Sequence, residues 1–174
     1  ILHLRKPDTA PVYAERLLTL IPEKYHKRIV VHDHFYLKEE YKLKGIHLSH
    51  RNPIVPDNYS GHVSASCHTF EEVIADKKMC DYVFLSPIFD SISKEGYQAG
   101  FTSEEIREAA AKGIIDKRVI ALGGVDEDNI LQVKDFGFGG AAILGGLWNK
   151  FNPASDYNYQ ELIAHFRKLK RLAD

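Results

Sequence analysis

Seven short apolar runs recur along the chain, and longer stretches with helical periodicity separate most of them. Short runs rich in β-branched residues that alternate with helical patterns are typical of βα units, and therefore of a parallel sheet. The predicted strands are residues 1–5, 28–32, 45–49, 61–66, 81–85, 118–122 and 140–144. This alternation predicts an α/β fold.

Two of the intervening helices begin with a recognisable end signal. Thr69 with Glu72, and Thr102 with Glu105, have the capping-box spacing, in which each side chain satisfies a backbone N–H near the start of a helix. Asp126 is predicted to cap the helix that follows it, because a carboxylate accepts hydrogen bonds from the same N–H groups.

The chain has 174 residues, enough for one well-cored domain, and we expect residues 1–174 to form a single domain. Seven units that begin directly on a strand at Ile1 predict a (β/α)8 TIM barrel whose first βα unit is missing from the chain as given. A doubly wound open sheet is the alternative. The G-x-G-x-x-G fingerprint of dinucleotide-binding sheets is absent after the first strand, which favours the barrel.

The composition limits the possible partners and the compartment. A hydrophobic fraction of 44%, a charged fraction of 27% and a net charge of -1 give no reason to expect nucleic acid. Cys67 and Cys80 form no C-x-x-C pair, which makes a reducing compartment the default. No apolar run approaches the ~18 residues of a membrane helix, and no signal peptide is visible. We therefore expect a cytoplasmic protein that binds neither nucleic acid nor membranes.

Glycine pairs follow the last two predicted strands. Gly123 and Gly124 come after V-I-A-L, and Gly145 and Gly146 come after A-A-I-L. In a barrel the loops after the last two strands commonly hold a phosphate, and backbone without side chains lets N–H groups approach its oxygens. Tight barrel turns would explain the same glycines. Their position at the two expected strand ends favours a phosphate site.

Two other segments carry groups that bind anions. The stretch P-I-F-D-S-I-S-K follows the fifth predicted strand, and its Ser91, Ser93 and Lys94 supply two hydroxyls and one positive charge. A solvated loop is the alternative for such a stretch. Arg5 directly follows the first strand and is placed either as an anion clamp or as an ordinary surface arginine.

Eight of the nine histidines lie at or before position 68. The spacing of His32 and His34 would suit a metal pair, but the late aspartate of metal-binding hydrolase barrels is absent. In S-A-S-C-H-T the alternation of a strand puts Cys67 and His68 on opposite faces, so they make a poor nucleophile and base pair. His68 is the best acid/base candidate, because its unperturbed pKa is near neutrality.

Taken together, these motifs resemble one family in order and spacing. They are H-L-R, H-D, G-I-H-L, S-C-H-T, P-I-F-D-S-I-S-K, A-L-G-G-V and A-A-I-L-G-G, and they cover nearly the whole chain. The chain resembles thiamine phosphate synthases and their relatives, the TenI-type thiazole tautomerases. That resemblance implies a (β/α) barrel that binds a thiazole phosphate in thiamin biosynthesis.

The resemblance also implies roles for individual residues. Arg5 corresponds to a diphosphate-binding arginine, Asp33 to a magnesium ligand and Ser66 to a substrate or diphosphate contact. Lys94 would neutralise the leaving group, with Ser91 and Ser93 beside it. The backbone at Gly124, Leu144 and Gly145 falls where the family binds the thiazole phosphate, and His68 corresponds to the acid/base of the tautomerases.

The chain departs from the synthase pattern at several positions, among them His32, which stands where the synthases have an asparagine. His3 replaces a glutamine, Pro7 replaces a lysine, and Lys44 stands where we expect the second metal-binding aspartate. A synthase would join hydroxymethylpyrimidine diphosphate to thiazole phosphate with Mg²⁺, whereas a tautomerase would need no cofactor. Because an ammonium beside Asp33 would weaken a magnesium site, the residues slightly favour tautomerase chemistry over the synthase. A barrel that binds thiazole or thiamine phosphate without turnover is the third hypothesis.

Overall fold

A computed structural model describes residues 1–90, 99–149, 151 and 159–173 of the chain. Its strands confirm all seven predicted ones, with ends that differ by at most two residues. They are β1 (Leu2–Leu4), β2 (Ile29–Val31), β3 (Gly45–Leu48), β4 (His62–Cys67), β5 (Tyr82–Leu85), β6 (Val119–Leu122) and β7 (Gly140–Ala142).

Helices separate most of these strands. The α-helices are α1 (Pro11–Leu20), α2 (Leu37–Glu40), α3 (Phe70–Asp76), α4 (Ser103–Ala111), α5 (Ile130–Asp135), α6 (Gly145–Trp148) and α7 (Tyr159–Ala173), and a 3-10 helix covers Glu23–Arg28. Within the described parts of the chain, no helix is long and apolar enough to cross a membrane.

The chain divides into two compact units. The first contains Ile1–Ser66 and Met79–Asp81, and the second contains Cys67–Lys78 and the chain from Tyr82 onward. In the first unit β1, β2, β3 and β4 are hydrogen-bonded in that order, and every pair is parallel. In the second unit β5, β6 and β7 are likewise parallel neighbours. The predicted parallel α/β fold is confirmed, and closure into a barrel stays a prediction.

Each unit has its own apolar core. In the first, Val31, Ile46 and Val63 are buried on the strands, and Leu18 and Leu37 are buried on the helices. The core of the second contains Val83, Leu85, Val119, Ala121, Ile106, Ile130 and Phe136. Burial of these side chains supplies most of the driving force for folding.

The structure confirms both capping boxes and corrects one helix start. The side chains of Thr69 and Thr102 each accept the backbone N–H three residues ahead, and the glutamates there bond back. Asp126 does not cap α5, which begins only after Asn129. Its carboxylate instead accepts the backbone N–H of Asp128 at 2.9 Å, so it closes a turn ahead of the helix.

Candidate functional site

A row of polar side chains crosses one face of the first unit's sheet. The strand register pairs His3 with Val30, Val30 with Gly45, and His47 with Ser64. Because side chains alternate along a strand, His3, His32, His47, Ser64 and Ser66 all point to the same face. The apolar residues between them occupy the opposite face.

Three of these residues form a compact group, which we call the histidine trio: His3, His32 and His47. The His3 Nδ1 lies 2.9 Å from the His32 Nε2, and the rings of His32 and His47 are stacked with centroids 4.1 Å apart. His3 stands edge-on to both, with ring centroids at 5.1 Å. His47 is completely buried, and His3 is the most exposed of the three.

All three imidazoles have strongly depressed pKa values. Burial lowers the pKa of His3 to about 3, with a contribution from His32. Burial lowers the pKa of His32 to about 4, and Arg5 adds to that effect while Asp33 opposes it. Burial, together with the other two histidines, lowers the pKa of His47 to about 2. The trio is therefore neutral near pH 7.

Two serine hydroxyls contact the two ring nitrogens of His47. Its Nδ1 lies 2.8 Å from the Ser64 Oγ, and its Nε2 lies 2.8 Å from the Ser66 Oγ. The Ser64 Oγ also lies 3.4 Å from the Ile46 carbonyl oxygen. A neutral imidazole donates through one nitrogen and accepts through the other, so one serine hydroxyl accepts from His47 and the other donates to it. Ser66, predicted to contact substrate, is thus held by a buried imidazole.

Asp33 follows β2 directly and lies among cationic and amide groups. Its Oδ1 accepts from the Asn52 Nδ2 at 3.1 Å and lies 3.5 Å from an Arg51 guanidinium nitrogen. Its Oδ2 is buried and has no hydrogen-bond partner among the described residues. Arg5 follows β1 and is exposed, near enough to affect the pKa of His32. Arg5, Asp33 and Arg51 are therefore gathered at the carboxyl ends of β1 to β3.

The structure does not bring Lys44 to Asp33, contrary to the sequence-based expectation. Lys44 immediately precedes β3, and its backbone N–H bonds to the Ile29 carbonyl at the amino end of β2. Asp33 lies beyond the carboxyl end of β2, so the length of the strand separates the two residues. The alternative metal pair of His32 and His34 is not assembled either, because the His34 Nε2 lies 3.2 Å from the Thr9 carbonyl.

The donor set at Asp33 suits one kind of magnesium site. Mg²⁺ is commonly held by one or two carboxylates together with substrate phosphates and water. Asp33 offers one buried oxygen that has no hydrogen-bond partner in the part of the chain that the structure describes, and such a group gains from a cation. The Arg51 guanidinium next to the other oxygen would oppose a bare dication but attract a diphosphate. The residues fit a magnesium ion that arrives with a diphosphate.

His68 lies in the second unit, directly after β4, and is exposed. Its Nδ1 is 2.9 Å from the Ser86 carbonyl oxygen. Because a carbonyl only accepts hydrogen bonds, the Nδ1 carries the proton and the Nε2 of the neutral ring carries the lone pair. The backbone N–H of His68 donates to the Glu72 carboxylate of the capping box. These contacts orient the His68 ring, and its role as an acid/base stays a prediction.

The first glycine pair is held against the segment that follows β5. The backbone N–H groups of Ile88 and Phe89 donate to the carbonyls of Leu122 and Gly123 at 3.0 and 3.1 Å. Gly124 has a φ of 65°, and a Cβ there would lie 2.3 Å from the Asp90 carbonyl oxygen. The need for glycine at position 124 is therefore explained by this backbone contact. A phosphate-binding role at the same position stays a prediction.

The second glycine pair begins a short helix. Leu144 is the N-cap of α6 and is 64% exposed, and Gly145 is the first helical residue. The backbone N–H groups at this end of α6 have no partner within the helix itself, as at any helix start. Ser91, Ser93 and Lys94 lie outside the described residues, so their predicted roles rest on the sequence.

Comparison with known proteins places the chain in a family. The family model described as thiamine monophosphate synthase matches residues 3–147. The chain belongs to the thiamine monophosphate synthase family. Among solved structures, the thiamine phosphate pyrophosphorylase of Bacteroides thetaiotaomicron is 60% identical, with a TM-score of 0.89 over 99% of this chain and 83% of that chain. That of Pyrococcus furiosus is 16% identical, with a TM-score of 0.71 over 98% and 82%, and shows the same fold.

Curated relatives of lower identity are named thiamine-phosphate synthase. The thiamine-phosphate synthase of Actinobacillus succinogenes is 28% identical over 68% of this chain and 56% of its own length. That of Limosilactobacillus reuteri is 25% identical over 83% of this chain and 65% of its own length. The chain spans between about half and two-thirds of the length of these relatives.

Sequence reasoning missed Arg51 and Asn52 at this edge of the first unit, and it missed the grouping of His3 with His47 on the face of the sheet. Arg51 and Asn52 follow β3 in S-H-R-N, and the position of this tetrapeptide directly after a strand was the available signal. The grouping of His3 with His47 required the strand register, since the two lie 44 positions apart in the sequence. Within this family the resemblance drew attention to His3 only as a departure from glutamine.

Proposed function

We propose that the chain is a thiamine-phosphate synthase, a transferase that joins hydroxymethylpyrimidine diphosphate to a thiazole phosphate. The observation that carries this proposal is the buried Oδ2 of Asp33, which lies near Arg51 and has no hydrogen-bond partner among the described residues. A carboxylate beside an arginine suits a magnesium diphosphate, whereas a tautomerase handles only a monophosphate. Lys44 lies at the amino end of β3, whereas Asp33 lies beyond the carboxyl end of β2. Lys44 therefore gives no reason to rank tautomerase chemistry first.

The reaction separates a diphosphate and forms one carbon–nitrogen bond. The bond between the pyrimidine methylene carbon and the diphosphate oxygen breaks, and its electron pair leaves with pyrophosphate. The lone pair of the thiazole nitrogen then bonds to that carbon, which gives thiamine phosphate. Catalysis requires neutralisation of the leaving diphosphate and correct placement of the thiazole nitrogen.

Residues of the first unit are proposed to bind the diphosphate. Arg5 and Arg51 donate to its oxygens through their guanidinium groups, and Ser66 donates through its hydroxyl. Asp33 would hold Mg²⁺ through its Oδ2, and the bound ion would offset the negative charge of the diphosphate as it leaves. In the same proposal Lys94, with Ser91 and Ser93, adds one positive charge and two hydroxyl donors.

Residues of the second unit are proposed to bind the thiazole phosphate. The backbone at Gly124, Leu144 and Gly145 would donate N–H groups to the phosphate oxygens. The supporting features are the exposure of Leu144 and the position of Gly145 at the start of α6. A (β/α)8 barrel formed by residues 1–174 as a single domain belongs to the same proposal, because the family resemblance implies it.

A thiazole tautomerase is the second candidate, and the orientation of His68 favours it. A proton shuttle needs one group whose basic nitrogen faces the substrate, and the Ser86 carbonyl holds His68 in that tautomer. In the synthase His68 would have no required proton to move. The two activities therefore respond differently to loss of this side chain.

The deciding experiment measures thiamine phosphate and pyrophosphate from hydroxymethylpyrimidine diphosphate, thiazole phosphate and Mg²⁺. The wild type should form both products in equal amounts. Asp33→Asn should lower kcat/KM by ~100-fold or more, since it removes the anionic ligand, while Asp57→Asn should leave it unchanged. Asp57 is an exposed aspartate of the same unit, which makes it the matched control.

A parallel assay follows aromatisation of the thiazole carboxylate phosphate. Formation of thiamine phosphate with little sensitivity to His68→Asn would support the synthase. Aromatisation that His68→Asn abolishes, without thiamine phosphate, would replace it by the tautomerase. Binding of thiazole phosphate without either product would leave a non-catalytic binding protein and refute both enzymatic proposals.

A further inference from the structure

The second unit has an open cavity at the end of its strands opposite to the glycine pairs. Its volume is about 370 Å³, which is within the range of small-molecule sites. Lys77 and Lys78 come before β5 and Arg118 immediately precedes β6, whereas Gly124 follows β6. The cavity therefore lies at the amino ends of these strands, away from the glycine backbone that is proposed to bind the thiazole phosphate.

Four cationic side chains dominate the wall of this space, which we call the cation cavity. They belong to Lys77, Lys78, Lys112 and Arg118, and within the described part of the chain no acidic residue lines it. Like charges gathered around one cavity repel one another, so an anion bound between them would lower the electrostatic energy. We propose that the cation cavity binds a small organic phosphate, independently of the transfer reaction.

Lys77 forms the fixed part of the cation cavity. Its side chain is only 11% exposed, and its Nζ donates to the Ile114 carbonyl at 2.7 Å, the Asp116 carboxylate at 2.8 Å and the Gly113 carbonyl at 3.3 Å. An ammonium group has three N–H donors, and these contacts use all of them. Lys77 therefore holds the segment that follows α4 in place, and the anion would be bound by the other cations.

The remaining cations have donors that a phosphate could use. One Arg118 guanidinium nitrogen donates to the Lys77 carbonyl at 3.0 Å, and this contact uses one of the five N–H donors of the group. Lys112 pairs with Glu108 at 2.7 Å, but both side chains are more than half exposed, at 62% and 63%. Exposed ion pairs of this kind contribute little, so Lys112 can exchange Glu108 for a phosphate oxygen. Lys78 is exposed beside them and adds a third charge.

Two isoleucines in the same wall indicate that the ligand also has an apolar part. Ile74 and Ile114 line the cation cavity, and Ile74 is 47% exposed. Covering apolar surface of this kind is favourable, whereas inorganic phosphate would leave it in contact with water. A phosphate ester with a small apolar group would contact both the cations and the isoleucines, which is why the proposal specifies an organic phosphate.

The test titrates the full 174-residue chain with phenyl phosphate and follows the backbone amide resonances of the ¹⁵N-labelled protein, without Mg²⁺. The amides of Lys78, Gly113 and Ile114 should shift and saturate together, with an affinity at least ~5-fold higher than for inorganic phosphate. Binding at the proposed thiazole phosphate site would instead shift the amide of Gly145, so the two sites are distinguished. Absence of saturable shifts at the cation cavity would overturn the proposal, and equal affinities would overturn the organic ligand.

Variants separate a specific site from general attraction by positive charge. The double variant K78Q/K112Q should weaken phenyl phosphate binding at the cation cavity by at least ~10-fold. The matched control K24Q/K27Q removes the same charge from two exposed lysines of the first unit and should bind as the wild type does. Circular dichroism checks that each variant folds. Equal weakening in both double variants, or unchanged binding by folded K78Q/K112Q, would refute the proposal.

Discussion

Lowering the pH from about 7.5 to about 5 should destabilise the folded protein by ~6 kcal/mol through the histidine trio alone. Burial depresses the pKa values of His3, His32 and His47 to about 3, 4 and 2, so the folded protein keeps all three rings neutral at pH 5. The unfolded chain takes up protons on the same residues below a pKa of ~6.5. The stability that the three neutral histidines contribute is therefore fully present above pH 6.5 and is lost as the pH falls below it.

The magnitude follows from the interval between the unfolded pKa and the assay pH. One pH unit is worth 1.36 kcal/mol for each group that is protonated only in the unfolded state, so the ~1.5 units between 6.5 and 5 cost ~2 kcal/mol per histidine. Three histidines give ~6 kcal/mol, which is comparable to the whole stability of many domains. The protein should thus be close to unfolding near pH 5.

The assay is urea unfolding monitored by circular dichroism at several pH values, with a chelator present to exclude metal. Because other titrating groups contribute in both proteins, the wild type is compared with the triple variant H3Q/H32N/H47Q. The triple variant should lose ~6 kcal/mol less than the wild type over this pH range, and each single variant should lose ~2 kcal/mol less. If the unfolding free energies of the wild type and the triple variant depended on pH in the same way, the reasoning that these three rings are buried in the neutral form would be refuted.

Two further predictions concern the second unit. Gly124→Ala should destabilise the protein by more than Gly113→Ala. Both glycines have a positive φ, a backbone strain that costs ~1 kcal/mol on substitution, but only at position 124 would the new Cβ lie 2.3 Å from the Asp90 carbonyl oxygen. Equal losses of unfolding free energy in urea for the two variants would contradict this contact. Thr102→Ala should cost ~1 kcal/mol by the same measurement, since it removes the side-chain half of the capping box at α4, and no change would argue against that cap.

The strands and two helix starts were predictable from sequence because their signals are local. Alternating apolar runs mark β1 to β7, and the threonine–glutamate spacing marks the capping boxes at Thr69 and Thr102. Asp126 was misread because aspartate closes a turn as readily as it caps a helix. The capping boxes and the turn at Asp126 are both decided by residues only a few positions apart.

The candidate site was less predictable because it depends on strand register. Lys44 is 11 positions from Asp33 in the sequence, yet the two lie beyond opposite ends of a strand. Asn52 is 19 positions away and contacts the carboxylate at 3.1 Å. The trio likewise depends on parallel pairing of β1, β2 and β3, which no local pattern encodes. Sequence identified His68 correctly as a strand-end residue, whereas its tautomer needed the position of the Ser86 carbonyl.

The hydrogen bond between His68 and Ser86 also provides a spectroscopic probe. The Nδ1 proton of His68 lies against the carbonyl that immediately precedes Pro87, where the P-I-F-D segment begins. A change in the backbone of that segment would alter this bond, and the nitrogen chemical shift of a single imidazole would report it. With ¹⁵N-labelled histidine, binding of an anion by the downstream serines and lysine would be observable in solution at one resonance, without crystals and without turnover.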